Sequence, residues 1–137
     1  MHRLVLFFLA VALTLPAGAV SVSSAPAPVT KIRVAGFGNV LARRDRQALY
    51  YWQVEKRAGG KIRCVGTCAT LWPPLLVRSA AAVPRRVPEI KGTFGVIRRP
   101  NGKLQVTHDG LPVYTYVHEG PGDVRCDNVN GWFVVRV

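Results

Sequence analysis

The chain repeats itself once, and that duplication limits the available folds more than any other feature. Leu49-Tyr50-Tyr51-Trp52 is followed by Glu55, Gly60, Cys64 and Trp72. Val113-Tyr114-Thr115-Tyr116 is followed by Glu119, Gly122, Cys126 and Trp132. Both copies read apolar-Tyr-x-aromatic-x-x-Glu, then Gly-x-apolar-Arg-Cys, then Trp. Each is preceded by a similar strand-like run, Phe37–Arg43 in one and Phe94–Arg98 in the other. Two copies are too few for a solenoid, in which every unit is stabilised by stacked neighbours. The repeat therefore predicts one domain, residues 32–137, with a pseudo-twofold relation between halves at about 32–77 and 89–137. Arg78 to Pro88 joins them as a loop, with a short helical turn at its alanines.

Local patterning is mostly β. Lys103-Leu104-Gln105-Val106-Thr107-His108 alternates, which sets Leu104 and Val106 on one face. Asn101-Gly102 is a tight-turn signal that joins this run to Phe94–Arg99 as a hairpin. Asp109-Gly110 then turns the chain into a third strand over Pro112–His118, and Trp132–Val137 reads as a buried closing strand. In the first half, Thr67–Leu71 fits one helical turn, stopped by Pro73-Pro74. The expected class is all-β: a small pseudo-duplicated antiparallel β domain, a sandwich or partly open barrel, with a short helical turn near the C-x-G-x-C segment.

Residues 1–19 have the form of a secretory signal peptide. Met1-His2-Arg3 is a positive start, Leu4–Leu15 an apolar run, and Ala17-Gly18-Ala19 a small-x-small cleavage pattern. The apolar run is about twelve residues, short of the roughly twenty that span a bilayer. Residues 20–31, small, polar and proline-containing, read as a flexible leader. The chain is expected to be exported to the extracellular space, cell wall or periplasm. It is expected there as a soluble protein, without a lipid anchor or an integral membrane segment after cleavage.

Net charge over the 137 residues is +12, from 19 Lys and Arg against 7 Asp and Glu. Such a surplus draws a protein to anionic surfaces. The cations occur in scattered pairs such as Arg43-Arg44, Arg85-Arg86 and Arg98-Arg99, never as a block. Loose association with anionic envelope polymers or lipids is expected, and no specific nucleic-acid binding.

Tyr50-Tyr51-Trp52-Gln53-Val54-Glu55 and Tyr114-Thr115-Tyr116-Val117-His118-Glu119 resemble the motif of the secreted repeat of unknown function family, predicted lipoproteins with a Yx(FWY)xxD pattern. The segment Cys64-Val65-Gly66-Thr67-Cys68-Ala69-Thr70-Leu71-Trp72-Pro73-Pro74-Leu75 is similar to that family's C-x-G-x-C-A-x-x-W-P-P-L signature. The resemblance covers about residues 35–137. Both motif acids are Glu where the family pattern has Asp, and the family's common lipid-attachment cysteine is missing. The resemblance implies an extracytoplasmic location and no established activity.

In strands, Tyr50 and Trp52 share a face, as do Tyr114 and Tyr116. They are expected to form a cross-strand aromatic core, the alternative being an open platform for a ring-shaped ligand. Glu55 and Glu119 are expected to cap loops or pair with arginines. An oxidising compartment preserves disulfides, and three cysteines leave at least one thiol over. A bridge between Cys64 and Cys68 is expected; the alternatives are Cys64 with Cys126, which the repeat aligns, or a metal set of Cys64, Cys68, Cys126, His108 and His118. No nucleophile elbow, phosphate loop or paired-acid motif is present, although the repeat-related Glu55 and Glu119 have an acid pair as their alternative, and His108-Asp109 are strand neighbours facing opposite ways. The sequence thus points to a non-enzymatic, cofactor-free cell-envelope binding or scaffold module. The alternative is a metal- or redox-linked envelope protein using its cysteines.

Overall fold

Four β-branched residues among the six of Val29–Val34 favour the strand β1, which pairs antiparallel with β2, Gly38–Arg43, so that Lys31 lies opposite Leu41 and Arg33 opposite Asn39. The computed structural model describes residues 18–19 and 25–137. The expected signal peptide, apart from Gly18 and Ala19, and the start of the expected leader lie outside the described residues. The leader does not extend to residue 31. Val29 opens β1 with its side chain 3 % exposed, so the folded domain begins three residues before the expected boundary.

After this hairpin come β3 (Tyr50–Trp52), helix α1 (Gln53–Arg57), helix α2 (Thr67–Leu71), β4 (Leu76–Val77) and a 3-10 turn at Ala80–Ala82. The second half supplies β5 (Phe94–Arg98), β6 (Leu104–His108), β7 (Leu111–Pro112) and β8 (Trp132–Val134). Strands pair β1-β2, β3-β8 and β4-β6-β5, with β7 on β6; every pairing is antiparallel and no barrel closes. The all-β antiparallel expectation holds, as do the helical turn at Thr67–Leu71 and the turn at the alanines. Helix α1, directly after the aromatic motif, was not expected. The third strand expected over Pro112–His118 is only Leu111–Pro112, after which Tyr114 bridges to Tyr50 and to Pro74.

The two halves meet at that bridge. Tyr50 N–H donates to the Tyr114 carbonyl at 2.8 Å, and Tyr114 N–H returns a bond to Tyr50 at 2.9 Å. A pseudo-twofold axis passes between them, and backbone bonds on either side match. Leu41, Leu49 and Val135 form a closed ring: Leu41 N–H to Val135, Val135 N–H to Leu49, Leu49 N–H to Leu41. Val106, Val113 and Leu75 form the same ring in the same order. Each ring lets three strands meet in the interior without leaving these backbone groups unpaired, which burial would otherwise penalise by about 1–3 kcal/mol apiece. Gln53 N–H to Gly131 and Val117 N–H to Leu71 are a further matched pair.

This register corrects one alignment. Leu41 corresponds to Val106, and Lys31 opposite it to Val96. Strand β2 therefore matches β6, and β1 matches β5. The shared Phe-Gly of Phe37–Arg43 and Phe94–Arg98 suggested a different match, but Gly38 ends a turn whereas Gly95 is mid-strand. The true counterpart of the turn before Gly38 is Asn101-Gly102, where Gly102 takes φ +82°.

The halves also exchange strands. The segment after Trp72 packs on second-half strands, and the segment after Trp132 on first-half strands. Two apolar clusters fill the interior. One holds Ile32, Val40, Tyr50, Cys64, Trp72, Tyr114, Trp132 and Val134; the other gathers Leu41, Leu49, Phe94, Val106, Val113 and Val135.

Candidate functional site

Strand β3 buries Tyr50 completely, and α1 then swings Glu55 back into the interior at 1 % exposure. Tyr114 and Glu119, at 0 % and 7 %, occupy the matching places. Each acid serves both halves. Glu55 Oε1 accepts N–H bonds from Arg63 and Cys64 of its own half, at 2.8 and 3.0 Å, and the Tyr114 hydroxyl at 2.7 Å. Glu119 Oε1 accepts the Arg125 N–H at 2.7 Å and the Tyr50 hydroxyl at 2.6 Å. The motif is thus a reciprocal brace across the pseudo-axis. Neither acid meets an arginine side chain, contrary to one expectation; backbone N–H groups and a tyrosine do that work. Burial, and then the adjoining carboxylate, pushes both tyrosine hydroxyls well above their ordinary pKa.

Above the brace the remaining repeat aromatics form a column. Trp52 stacks on Trp132 at 5.3 Å, Trp132 on Trp72 at 3.9 Å, and Trp72 meets Tyr116 at 4.7 Å. Tyr50 and Tyr114 approach the central pair edge-on, at 5.3 Å to Trp72 and 5.2 Å to Trp132. The structure places Tyr50, Tyr114, Trp72 and Trp132 in the core and leaves Trp52 and Tyr116 half-buried at the column's ends. Trp72 directly follows α2, and Pro73 and Pro74 lead from it toward β4, Pro74 forming an isolated bridge with Tyr114. The Pro73 carbonyl accepts the Thr115 N–H at 2.9 Å, but Pro73 has no N–H to return, so this copy of the ladder is thinner than β3-β8.

Cys64 and Cys68 are bonded, with Cα atoms 5.2 Å apart. Cys126 occupies the position equivalent to Cys64 but has no counterpart of Cys68 and stays a free thiol. Burial and the nearby Glu119 raise its pKa, which suppresses the reactive thiolate. The five proposed metal ligands are not brought together. His108 packs on Phe94, with Nε2 2.8 Å from the Lys91 carbonyl, and His118 lies edge-on to Tyr116. Among the described residues no three His, Cys, Asp or Glu side chains are placed to hold a metal.

The acids are unevenly engaged. Two of the seven carboxylates, Glu55 and Glu119, are interior. Asp45, Asp123 and Asp127 are each held by a neighbouring arginine: Arg43, Arg125 and Arg136. Arg43 and Arg136 hold the Asp45 and Asp127 carboxyls below the usual carboxylate range. Asp109 accepts the Thr93 N–H at 2.8 Å. Glu89 and Asp109 stay exposed, and Arg99 is buried along with the two glutamates, so the surface keeps a cationic surplus close to that of the composition.

The model of a family described as a secreted repeat of unknown function matches residues 95–136. That span holds the second Tyr-x-aromatic-x-x-Glu copy and its tryptophan, in agreement with the resemblance read from the motif. No curated protein and no solved structure matches the chain. No helix among the described residues is long and apolar enough to cross a membrane.

Proposed function

We propose that this protein is an exported, soluble, non-enzymatic module that associates with anionic polymers of the cell envelope through its surface charge. The observation that carries this reading is the fate of the acids. Two of the seven are interior and three are tied to single arginines, which leaves Glu89 and Asp109 against a larger number of exposed lysines and arginines that are left for a partner. The duplicated motif supports the non-enzymatic reading. Its acids are buried and each takes the tyrosine hydroxyl of the opposite half on Oε1, a bracing task in the core.

Co-sedimentation with cell-wall fragments and with anionic vesicles, measured across a salt series, tests the proposal. Exposed charges are screened over about 8 Å at physiological ionic strength and about 3 Å at 1 M, so binding should disappear at high salt. Binding that persists at about 1 M salt would instead assign recognition to an apolar or shape-specific surface.

A further inference from the structure

Residues 76–112, which build β4, β5, β6, β7 and their connections, carry seven Lys and Arg, of which Arg99 is buried, against two acids, Glu89 and Asp109. Asp109 is engaged by Thr93. At one end of this sheet Arg78, Arg98 and Lys103, all exposed, line a groove of about 520 Å³ whose floor is Leu76, Val77 and Leu104. No carboxylate lines it. Its volume falls within the roughly 300–1,000 Å³ of ordinary ligand sites. Arg98 is held in place, one guanidinium N–H donating to the Gly102 carbonyl at 2.9 Å, which leaves its other donors free for an anion.

The pseudo-equivalent place in the first half lacks this set. By the strand register Arg33 matches Arg98, but Gly38 stands where the second half has Lys103. Arg136 takes the place of Leu76 and is bound by Asp127. One symmetric position has gathered free cations and the other has not.

Resting on the charge-driven reading above, we propose that the Arg78–Arg98–Lys103 groove is a docking site for a phosphodiester polymer. Guanidinium groups take phosphate oxygens in pairs, and the ammonium of Lys103 adds a third point of charge. The apolar floor suits the carbon segment between successive phosphates. A bilayer fits the shape less well. The cations surround a hollow rather than a bulge, and of the exposed large apolar side chains only Leu76 lies in the groove.

The test titrates the exported chain with poly(glycerol phosphate), a phosphodiester polymer with a carbon segment between successive phosphates, at about 0.15 M salt, where exposed charges act over only about 8 Å. Three proteins are compared: the native chain, Arg78→Gln/Arg98→Gln/Lys103→Gln, and Arg33→Gln/Arg57→Gln/Lys61→Gln. Both triples remove the same charge from exposed positions. The groove triple should weaken saturable binding about tenfold and flatten its salt dependence by about two to three ion equivalents, since each phosphate contact contributes about 0.7–0.9. The other triple should cost less than about threefold. Equal losses in both would overturn the groove while leaving the general charge reading intact. Phosphatidylglycerol vesicles provide a second arm. If the native chain binds vesicles in a groove-dependent way but ignores poly(glycerol phosphate), the ligand is a membrane and the polymer assignment fails. If nothing binds even at low salt, the charge reading itself is lost.

Discussion

Glutamate at positions 55 and 119 adds a methylene to the aspartate of the family pattern, and each side chain reaches a tyrosine of the opposite half. The sequence shows both acids but hides their partners, because the bonded residues lie 59 and 69 positions apart along the chain. That they cap loops is legible and holds, at the N–H groups of Arg63, Cys64 and Arg125; that helix α1 turns Glu55 inward to meet a distant tyrosine is not. Only the recurrence of Tyr and Glu at matched spacing signalled a shared structural task. The brace has a consequence at high pH. Tyr50 and Tyr114 ionise far above their usual pKa of about 10 when folded, so the neutral form is the one that the fold favours. Their contribution to stability is complete below about pH 10 and is lost as pH climbs above that value toward the folded pKa. The chain should open at alkaline pH, with tyrosinate absorbance from these two residues appearing together with the loss of circular dichroism. Tyr50→Phe, which has no proton to lose, should make the alkaline transition less steep. Ionisation of all four tyrosines with native circular dichroism would contradict the brace.

At the level of elements, the hairpin β5-β6 was fully legible because Asn101-Gly102 and the Leu104/Val106 alternation are local signals. Helix α1 was not, since a strand-like aromatic run passes straight into five helical residues without a side-chain cap at Trp52. The pairing of β3 with β8 was equally hidden, joining residues about eighty positions apart through register alone. The aromatic column depends on that pairing, and its rings are unequal. Trp72 and Trp132 are 5 % and 4 % exposed at its centre, whereas Trp52 and Tyr116 close its ends half-buried. Removing a buried aromatic costs about 3–5 kcal/mol, a large part of the stability of a small domain. Trp132→Ala and Trp72→Ala should therefore lower or abolish the chemical-denaturation midpoint, and Trp52→Ala should lower it substantially less. Equal effects at all three positions would mean that the column is not built from the centre outward.

For the whole molecule, the duplication was visible in the sequence, while the exchange of strands between its halves was not. Each copy sends the segment that begins at its tryptophan to the other, so neither owns a complete core. A chain of residues 89–137 alone should consequently fold only as a self-associated pair, its own Trp132 strand completing a second copy of itself. Analytical ultracentrifugation should show concentration-dependent dimers, with circular dichroism of folded strands only in the dimer. A well-folded monomer would refute this. Tethering the two copies in one polypeptide replaces an encounter between molecules with a high effective concentration, so assembly no longer depends on abundance. It also releases the copies from being identical. In a true pair any substitution appears twice, whereas in the fused chain one copy can change alone. The cation groove beside β6, with Gly38 at the corresponding place in the other copy, is the kind of one-sided specialisation that such a fusion permits.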